Sequence, residues 1–301
     1  MNIKKGYKRL NIDMTSKYGD IQYELNTPYY LEGKLKICFN GYHLCKNMLD
    51  TILFYDSENS RLFEVEYNAD NCIETENKLC SDYIKIIREI PIEEYHSYIK
   101  KYIKNNDITN KSWEVRYEIV KQGYGLDILI NDENWGIRCE VARQGYRLDA
   151  LINDGDWHVR REVVRQGFGL ETLINDENWH VRREVARQGF GLDKLINDMD
   201  IDVRREIAKQ GYGLDILVDD EDWHVRLEVA KKGYSLDVLI NDENCGVRRE
   251  VAKHGYGLDT LINDSHWNVR YEVAKQGYGL DILINDEDDD VRDMAEQKLN
   301  E

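Results

Sequence analysis

The stretch Trp179-His-Val-Arg-Arg-Glu-Val-Ala-Arg-Gln-Gly-Phe-Gly-Leu-Asp-Lys-Leu-Ile-Asn-Asp198 decides the fold of this chain, because near-copies of it fill residues 113–301. One column of residues, most of them tryptophan, recurs every 22 positions through eight full copies and a truncated ninth. Its members are Trp113, Trp135, Trp157, Trp179, Ile201, Trp223, Cys245, Trp267 and Asp289. A fixed period of this length is typical of a stacked solenoid, in which each unit buries its apolar face only against its neighbours.

Each copy predicts one amphipathic helix followed by a shorter helix. With the column residue numbered as position 0, positions 0, 2, 6 and 7 share an apolar face, while positions 1, 4, 5 and 8 share a polar face. Position 10 is glycine in all eight full copies, which predicts a left-handed helix end. Leu192, Leu195 and Ile196 have the spacing of a second helix of about two turns, partly 3₁₀. We therefore expect a mainly α fold, a right-handed α-solenoid of two-helix repeats over residues 113–301.

An arginine at position 3 interrupts the apolar face in every copy. Such a charge needs a partner, because an unpaired buried charge is strongly destabilising. The aspartate six residues earlier could supply the partner and could also cap the helix N-terminus. We therefore expect a ladder of Asp–Arg pairs. The central pairs are Asp132 with Arg138, Asp154 with Arg160, Asp176 with Arg182 and Asp198 with Arg204.

The repeat pattern Asp-x-x-x-x-Val-Arg, followed by Glu-Val-Ala, resembles HEAT-type repeats. The 22-residue unit, with one full and one short helix, is also similar to leucine-rich variant repeats. It is shorter than a HEAT pair and lacks the turn prolines common in leucine-rich variant units. Both resemblances imply a binding scaffold without chemistry of its own.

The residues expected to face solvent in the repeats carry charges of both signs. Position 8 is Lys or Arg and position 5 is Glu in every full copy. One interpretation is a solvated face with salt bridges three residues apart, each worth about a few tenths of a kcal/mol. The alternative is a central positive strip that suits an acidic protein surface or a phosphate-bearing ligand. That strip comprises His158, Arg161, Arg165, His180, Arg183, Arg187, Arg205 and Lys209.

Residues 1–90 contain no repeat, and their pattern predicts a small α+β domain. Alternating runs rich in tyrosine and isoleucine predict strands at residues 21–25, 34–39, 61–67 and 83–87. Residues 43–54 predict one helix. A connecting segment, residues 91–112, is expected to hold a helix over residues 92–105 and then a short loop.

Several short motifs mark this N-terminal segment. They are Lys5-Gly6-Tyr7, Gln22-Tyr23-Glu24, Ile37-Cys-Phe-Asn-Gly-Tyr-His-Leu-Cys45, Tyr55 and Arg61-Leu-Phe-Glu-Val65. With them, the first 90 residues resemble a small domain of unassigned function that recurs in phage and prophage proteins. The resemblance implies a context for the chain, but it implies no reaction.

A fainter likeness connects Gly41-Tyr-His43, Tyr55 and Phe63-Glu-Val-Glu66 with ADP-ribosyltransferase-type folds. That resemblance implies that His43 or Tyr42 would line a nicotinamide pocket. It also implies that Glu64 or Glu66 would stabilise a developing oxocarbenium charge.

Composition argues against several other classes of function. Residues 1–112 hold 16 basic and 17 acidic residues, so nearly all of the net charge of −17 lies in the repeats, and nucleic acid is an unfavourable partner. The six cysteines form no CxxC pattern, which favours free thiols in a reducing compartment. The chain contains no run of 18 apolar residues, and its sequence predicts neither a membrane span nor a signal peptide. We therefore expect a cytoplasmic protein, in the host cytoplasm if it is phage-encoded.

Metal and cofactor sites are not expected either. The position-1 histidines His158, His180 and His224 would stand about 8–10 Å apart on stacked helices, which is too far to share one metal ion. The chain has no P-loop, nucleophile elbow, zinc-protease motif or dinucleotide fingerprint.

Two hypotheses of function remain. In the first, the chain is a non-enzymatic protein–protein interaction scaffold, encoded by a phage or prophage, that binds and inhibits a host or defence protein. In the second, the N-terminal domain is an ADP-ribosyltransferase-like or nucleotide-binding enzyme whose target is positioned by the repeats.

Overall fold

A four-stranded antiparallel sheet organises the first of two units in the chain, Met1–Arg147. The computed structural model describes residues 1–37 and 39–301, so Cys38, one of the expected free thiols, lies outside the described residues. The strands are β1 (Ile3–Asn11), β2 (Pro28–Tyr30), β3 (Tyr42–Leu44), β4 (Ser60–Asn68), β5 (Cys72–Glu74), β6 (Leu79–Ser81) and β7 (Tyr83–Glu89). The order in the larger sheet is β1-β4-β7-β2, and a smaller sheet has the order β3-β6-β5.

The sequence predicted part of this sheet correctly. Strands β4 and β7 confirm the predicted runs at residues 61–67 and 83–87. The predicted strand at 21–25 is wrong, because Gln22 and Leu25 form only isolated bridges. The run at 34–39 is not a strand either, since the described part of it forms a turn closed by a bridge between Lys36 and Asn40.

The predicted helix over residues 43–54 is also wrong. His43 lies in β3, where Tyr42 and Leu44 are buried on either side of it and the strand pairs with β6. Only Leu49–Leu53 forms a helix, a 3₁₀ helix of five residues. The alternation of buried and partly exposed side chains over Tyr42–Leu44 therefore predicts the strand, and the apolar residues with helical spacing form only the short helix that follows.

The core of the N-terminal sheet lies on one face. Phe63, Val65 and Tyr67 of β4 and Ile84 and Ile86 of β7 are buried there. Because side chains alternate along a strand, the residues of β1 that pair with this face must point the same way. Lys8 stands directly opposite Phe63, so a lysine occupies a core position of the sheet.

Helices complete the first unit. The helix α1 (Ile92–Asn105) confirms the predicted helix over residues 92–105, and its Tyr95 and Ile99 are buried. It is followed by α2 (Trp113–Lys121), α3 (Leu126–Leu129) and α4 (Trp135–Arg143).

The second unit, Leu148–Glu301, consists of regularly repeating long and short helices, as predicted. The long helices begin at the column residue. They are α6 (Trp157–Arg165), α8 (Trp179–Arg187), α10 (Ile201–Gln210), α12 (Trp223–Lys231), α14 (Cys245–Lys253), α16 (Trp267–Lys275) and α18 (Asp289–Leu299). The short helices are α5 (Leu148–Leu151), α7 (Leu170–Leu173), α9 (Leu192–Leu195), α11 (Leu214–Leu217), α13 (Leu236–Leu239), α15 (Leu258–Leu261) and α17 (Leu280–Leu283).

A glycine ends each long helix of the eight full copies, and in six of the eight a second glycine starts the short helix, where Arg147 and Ser235 stand in the other two. Gly189 has φ +75°, which is the left-handed conformation predicted for the helix end. Gly191 has φ +59°, and a Cβ atom at this position would collide with Ile174 of the preceding repeat. Glycine is therefore favoured at position 191 both by its backbone angle and by the close approach of Ile174.

The buried face of the long helices differs from the helical-wheel prediction at two positions. Val181, Val185 and Ala186 are fully buried, as expected for positions 2, 6 and 7. The column residue is not part of this core: Trp267, for example, is 40% exposed. Glu184 at position 5 was expected to face solvent but is only 4% exposed, because it lies between neighbouring helices and pairs with Arg165 and Arg187.

The position-3 arginines form a ladder, but the predicted carboxylate partner is wrong. Arg182 donates Nε to Asp198 Oδ2 at 2.6 Å and Nη2 to Asp198 Oδ1 at 2.8 Å, so its carboxylate belongs to the next repeat. The aspartate six residues earlier, Asp176, accepts a bond from Arg182 Nη1 through its backbone carbonyl, at 2.8 Å. Within the second unit the pairs are Arg160 with Asp176, Arg182 with Asp198, Arg204 with Asp220, Arg226 with Asp242, Arg248 with Asp264 and Arg270 with Asp286.

The first unit repeats this geometry. Arg116 Nε donates to Asp132 Oδ2 at 2.6 Å, and Arg138 Nη1 donates to the Asp132 carbonyl at 2.7 Å.

Asp154 uses Oδ1 to accept the backbone N–H of Asp156 at 2.8 Å, and the same turn recurs at the equivalent aspartates. The expected capping aspartate therefore closes the turn before the helix, while Asn178 caps the helix itself by accepting the N–H of His180.

Within the described part of the chain, every helix is too short or too polar to span a membrane.

The inter-repeat ion pair should dominate the stability of the repeats. We expect Arg182→Met to lower the free energy of unfolding by about 3–5 kcal/mol, because it leaves the buried Asp198 carboxylate without its charged partner. Urea denaturation followed by circular dichroism measures the change. The control Lys194→Met changes an exposed side chain and should cost less than about 0.5 kcal/mol. Equal effects of the two substitutions would contradict the role of the ladder.

Candidate partner-binding surface

Rings from neighbouring repeats stack on the surface of the second unit. The His180 ring lies parallel to Trp157 of the preceding repeat, with centroids 4.4 Å apart and an interplanar angle of 10°. On its own helix, His180 stacks on Trp179 at 3.6 Å. Because all three rings are partly exposed, they form a continuous π surface that crosses from α6 to α8.

Two arginines extend this π surface. The Arg161 guanidinium lies 5.0 Å from the centroid of the Trp157 ring, and the Arg183 guanidinium lies 5.1 Å from that of Trp179. Both distances fall within the range of cation–π attraction. We call this set, Trp157, His158, Arg161, Trp179, His180 and Arg183, the aromatic–cationic column.

Helix caps orient the histidines of the column. Asp156 Oδ1 accepts the backbone N–H of His158 at 2.9 Å and lies 2.9 Å from His158 Nδ1. The His158 ring in turn stacks on Trp157 at 3.6 Å. The cap therefore fixes both the first turn of the helix and the ring plane of the next residue.

The column is electropositive but poorly hydrated on its inner side. Burial, together with the nearby Arg183 and Arg161 charges, lowers the pKa of His180 from its usual 6.5, which keeps the ring neutral at neutral pH. Among the described atoms, His180 Nδ1 and Arg183 Nε are buried without a hydrogen-bond partner. Burying such groups without a partner is costly, so the inner side of the column carries a desolvation penalty.

The structure divides the eight predicted partner-binding residues into two groups. His158, Arg161, His180 and Arg183 lie in the column. The others lie outside the column, three of them at the ends of the long helices, and two of them pair with a buried glutamate: Arg165 Nε lies 3.3 Å and Arg187 Nη1 3.4 Å from Glu184 Oε2.

The remaining two residues of that second group differ from each other. Arg205, at position 4 of α10, donates from Nε to Glu228 Oε1 of the next repeat at 3.1 Å, whereas Lys209 is exposed. Arg165, Arg187 and Arg205 therefore belong to a second ladder of charges, in which an arginine of one repeat pairs with a glutamate of the next.

A second exposed row was not anticipated from the sequence. It consists of apolar side chains at positions 11 and 15 of consecutive repeats, namely Tyr212, Ile216, Tyr234, Val238 and Tyr256. Position 11 is aromatic in all eight full copies, directly after the glycine that ends the long helix. The sequence signal for this row is an apolar residue at position 15 in some copies. In the short helices that carry Ile216 and Val238, the only buried residues are Leu217 and Leu239, so position 15 is left exposed.

The candidate catalytic residues of the N-terminal domain are not brought together. His43 lines a cavity, and burial lowers its pKa to about 4. Glu64 binds Lys5 at 2.5 Å and Arg88 at 3.1 Å, which holds the pKa of its carboxyl below the usual range. Glu64 and the half-buried Glu66 alternate in β4 with Phe63 and Val65, so they occupy the sheet face opposite to the core.

Metal ligands are not clustered in the described residues. Nowhere in residues 1–37 and 39–301 do three His, Cys, Asp or Glu side chains group so that they could hold a metal ion.

Comparisons with known proteins give one family match and structural matches to the chain. Residues 4–98 match the model of a family described as a domain of unknown function, DUF7666. No curated protein matches the chain. One similar solved structure is a designed armadillo repeat protein in complex with the peptide (KR)4, which is 15% identical. That match covers 69% of this chain and 93% of that chain with a TM-score of 0.17, a value too low to carry an argument about this protein.

The electrostatics of the column can be measured at His180. In an NMR titration, its midpoint should lie below 6.5, and Arg183→Gln should raise it, because the substitution removes a positive charge that disfavours the protonated ring. Arg187→Gln, which changes an exposed arginine at the other end of the helix, serves as the control and should leave the midpoint in place. A midpoint that does not move in the Arg183 variant would refute this account of the column.

Proposed function

We propose that the chain is a non-enzymatic protein-binding scaffold and that its partner docks on the aromatic–cationic column. The main support is the stack of the Trp157, His180 and Trp179 rings on the regular helical array. Arg161 and Arg183 add cation–π contacts to this stack. Tryptophan and arginine are the residues that most often dominate binding energy in protein interfaces. Their positions are fixed by stacking and by helix caps, so little conformational entropy is lost when a partner binds.

Charge supports an acidic protein as the partner. The column carries the guanidinium groups of Arg161 and Arg183 beside its rings, so it offers positive charge to a partner. The repeats as a whole are strongly acidic, which opposes a long polyanion such as nucleic acid. A folded protein can instead place a few carboxylates on the column and keep the rest of its surface away.

The identity of the partner rests on the resemblance of the N-terminal segment alone. From that resemblance we propose that the chain is encoded by a phage or prophage and that it inhibits a host or defence protein. This part of the proposal is independent of the column, and either part can fail without the other.

Affinity capture from host lysate with the full-length chain tests the docking surface. We expect a specific protein to be retained by the wild type and lost with Trp179→Ala combined with Arg183→Glu, because this pair removes the apolar platform and reverses the charge. Retention should also fall as salt is raised, since the attraction is partly between exposed charges.

Two controls locate the surface. Lys194→Glu changes an exposed charge on α9 and should retain the partner, and Ile216→Ser with Val238→Ser changes the second exposed row. Loss of the partner only in the variant with Ile216→Ser and Val238→Ser would place the interface on the second exposed row. Failure of the wild type to retain any specific protein would contradict the scaffold function.

A further inference from the structure

A cavity of about 420 Å³ lies in the N-terminal domain. It is lined by aromatic and cationic side chains, among them Tyr23, Tyr42, Tyr55, Lys8, Lys17 and Lys78. At its rim, Tyr18 is 82% exposed and Phe39 is 79% exposed, so the cavity is accessible from solvent. Its volume falls within the range typical of sites for small organic ligands.

Lys8 is the unusual residue in this cavity. Its side chain lies on the core face of the sheet, and the residue is only 7% exposed. A lysine at a core position is costly unless it is paired, because burial removes the water that stabilises its charge. The reason for a lysine here must therefore lie in what its ammonium group contacts.

The contacts that the structure describes do not neutralise the Lys8 ammonium group. Nζ donates one hydrogen bond, of 2.7 Å, to the backbone carbonyl of His43, and it lies 5.5 Å from the centroid of the Tyr23 ring. An ammonium group has three donors. Among the described residues no carboxylate forms an ion pair with Lys8, and the carboxylate that lines the cavity, Asp20, is exposed.

The surroundings of Lys8 are cationic. Burial, together with the nearby charge of Lys78, lowers the pKa of Lys8 to about 8. The same two lysines act on His43, whose pKa is already lowered by burial. An anion in the cavity would relieve this repulsion, and a dianion would relieve it more fully than a monoanion.

We propose that this cavity binds a small organic phosphate that carries a planar ring, of the size of a mononucleotide, with the phosphate on Lys8. Lys78 and Lys17 also line the cavity and supply further positive charge. The tyrosine rings offer faces and edges on which a planar ring can stack. The site lies in the N-terminal domain and does not depend on the partner-binding surface of the repeats.

Calorimetric titration of the full-length chain with AMP, GMP, CMP and UMP tests the proposal. We expect saturable binding of at least one nucleotide. The matching nucleoside and inorganic phosphate should each bind at least tenfold more weakly, because each supplies only one half of the contacts. At pH 8 binding of the nucleotide should be accompanied by proton uptake at Lys8, measured as a heat that depends on the buffer, because an anion raises the pKa of Lys8 from about 8.

Variants assign the binding to Lys8. Lys8→Met should weaken binding at least tenfold, while Lys4→Met, an exposed lysine of the same strand, should leave it unchanged. Lys78→Met and Lys17→Met, at half-buried and exposed positions, should each weaken binding severalfold, and they keep the test valid if Lys8→Met does not fold.

Three results would overturn the proposal. They are absence of saturable binding with all four nucleotides, unchanged affinity in the folded lysine variants, and inorganic phosphate binding as tightly as the nucleotide. The last result would leave a phosphate site without a role for the aromatic walls.

Discussion

The repeats depend on one interaction, the bidentate ion pair between an arginine of one repeat and an aspartate of the next. The Asp198 carboxylate accepts two bonds from Arg182 and a third from the backbone N–H of Asp200. Arg182 satisfies its remaining donor group on the carbonyls of Asp176 and Glu177. Every guanidinium nitrogen and both carboxylate oxygens are therefore hydrogen-bonded, which is the condition under which a buried ion pair can be kept. Because the pair joins adjacent repeats at two oxygens, it fixes their spacing and orientation.

The candidate binding surface follows from this spacing. Trp157 and His180 belong to different repeats, and they can stack at 4.4 Å only if the two helices keep their register. The register is held from the buried side by the Arg–Asp ladder and at the helix ends by glutamates such as Glu184, which contacts arginines of two repeats. The exposed rings are thus pre-organised by ion pairs that lie outside the column.

Period and composition were sufficient to predict the repeating helices, their glycine ends and the buried Val185 and Ala186. They were not sufficient for positions 0 and 5, because a helical wheel treats a helix as having one buried face. A long helix in this array has a neighbour on each side, so Glu184 is covered while the residue at position 0 stays near the surface. The partner of Arg182 was misassigned for a related reason: the wheel and the sequence distance describe a single repeat, and the carboxylate comes from the following one.

The N-terminal domain was less predictable, since its strands pair over long sequence distances. Nothing local distinguishes Lys4 and Lys5, which are exposed, from Lys8 and Arg9, which are buried in the same strand. Their environments appear only when β1 is placed beside β4, which puts Lys8 opposite Phe63. The same constraint explains why residues 43–54 were misassigned, because the pairing of β3 with β6 joins residues nearly 40 positions apart.

The buried cations discussed above therefore differ in how their charge is stabilised. Arg182 is buried with a carboxylate that matches its fork, and Arg9, whose delocalised charge is weakly hydrated, is buried against the Thr51 hydroxyl and the Tyr95 ring. Lys8 carries a compact, strongly hydrated charge, yet its described partners are one carbonyl and one ring. The desolvation cost that the repeats offset with aspartates is not offset in the cavity by any residue described in the chain. A charge of that kind, facing a cavity open to solvent, is the arrangement expected of a binding group and not of a structural one.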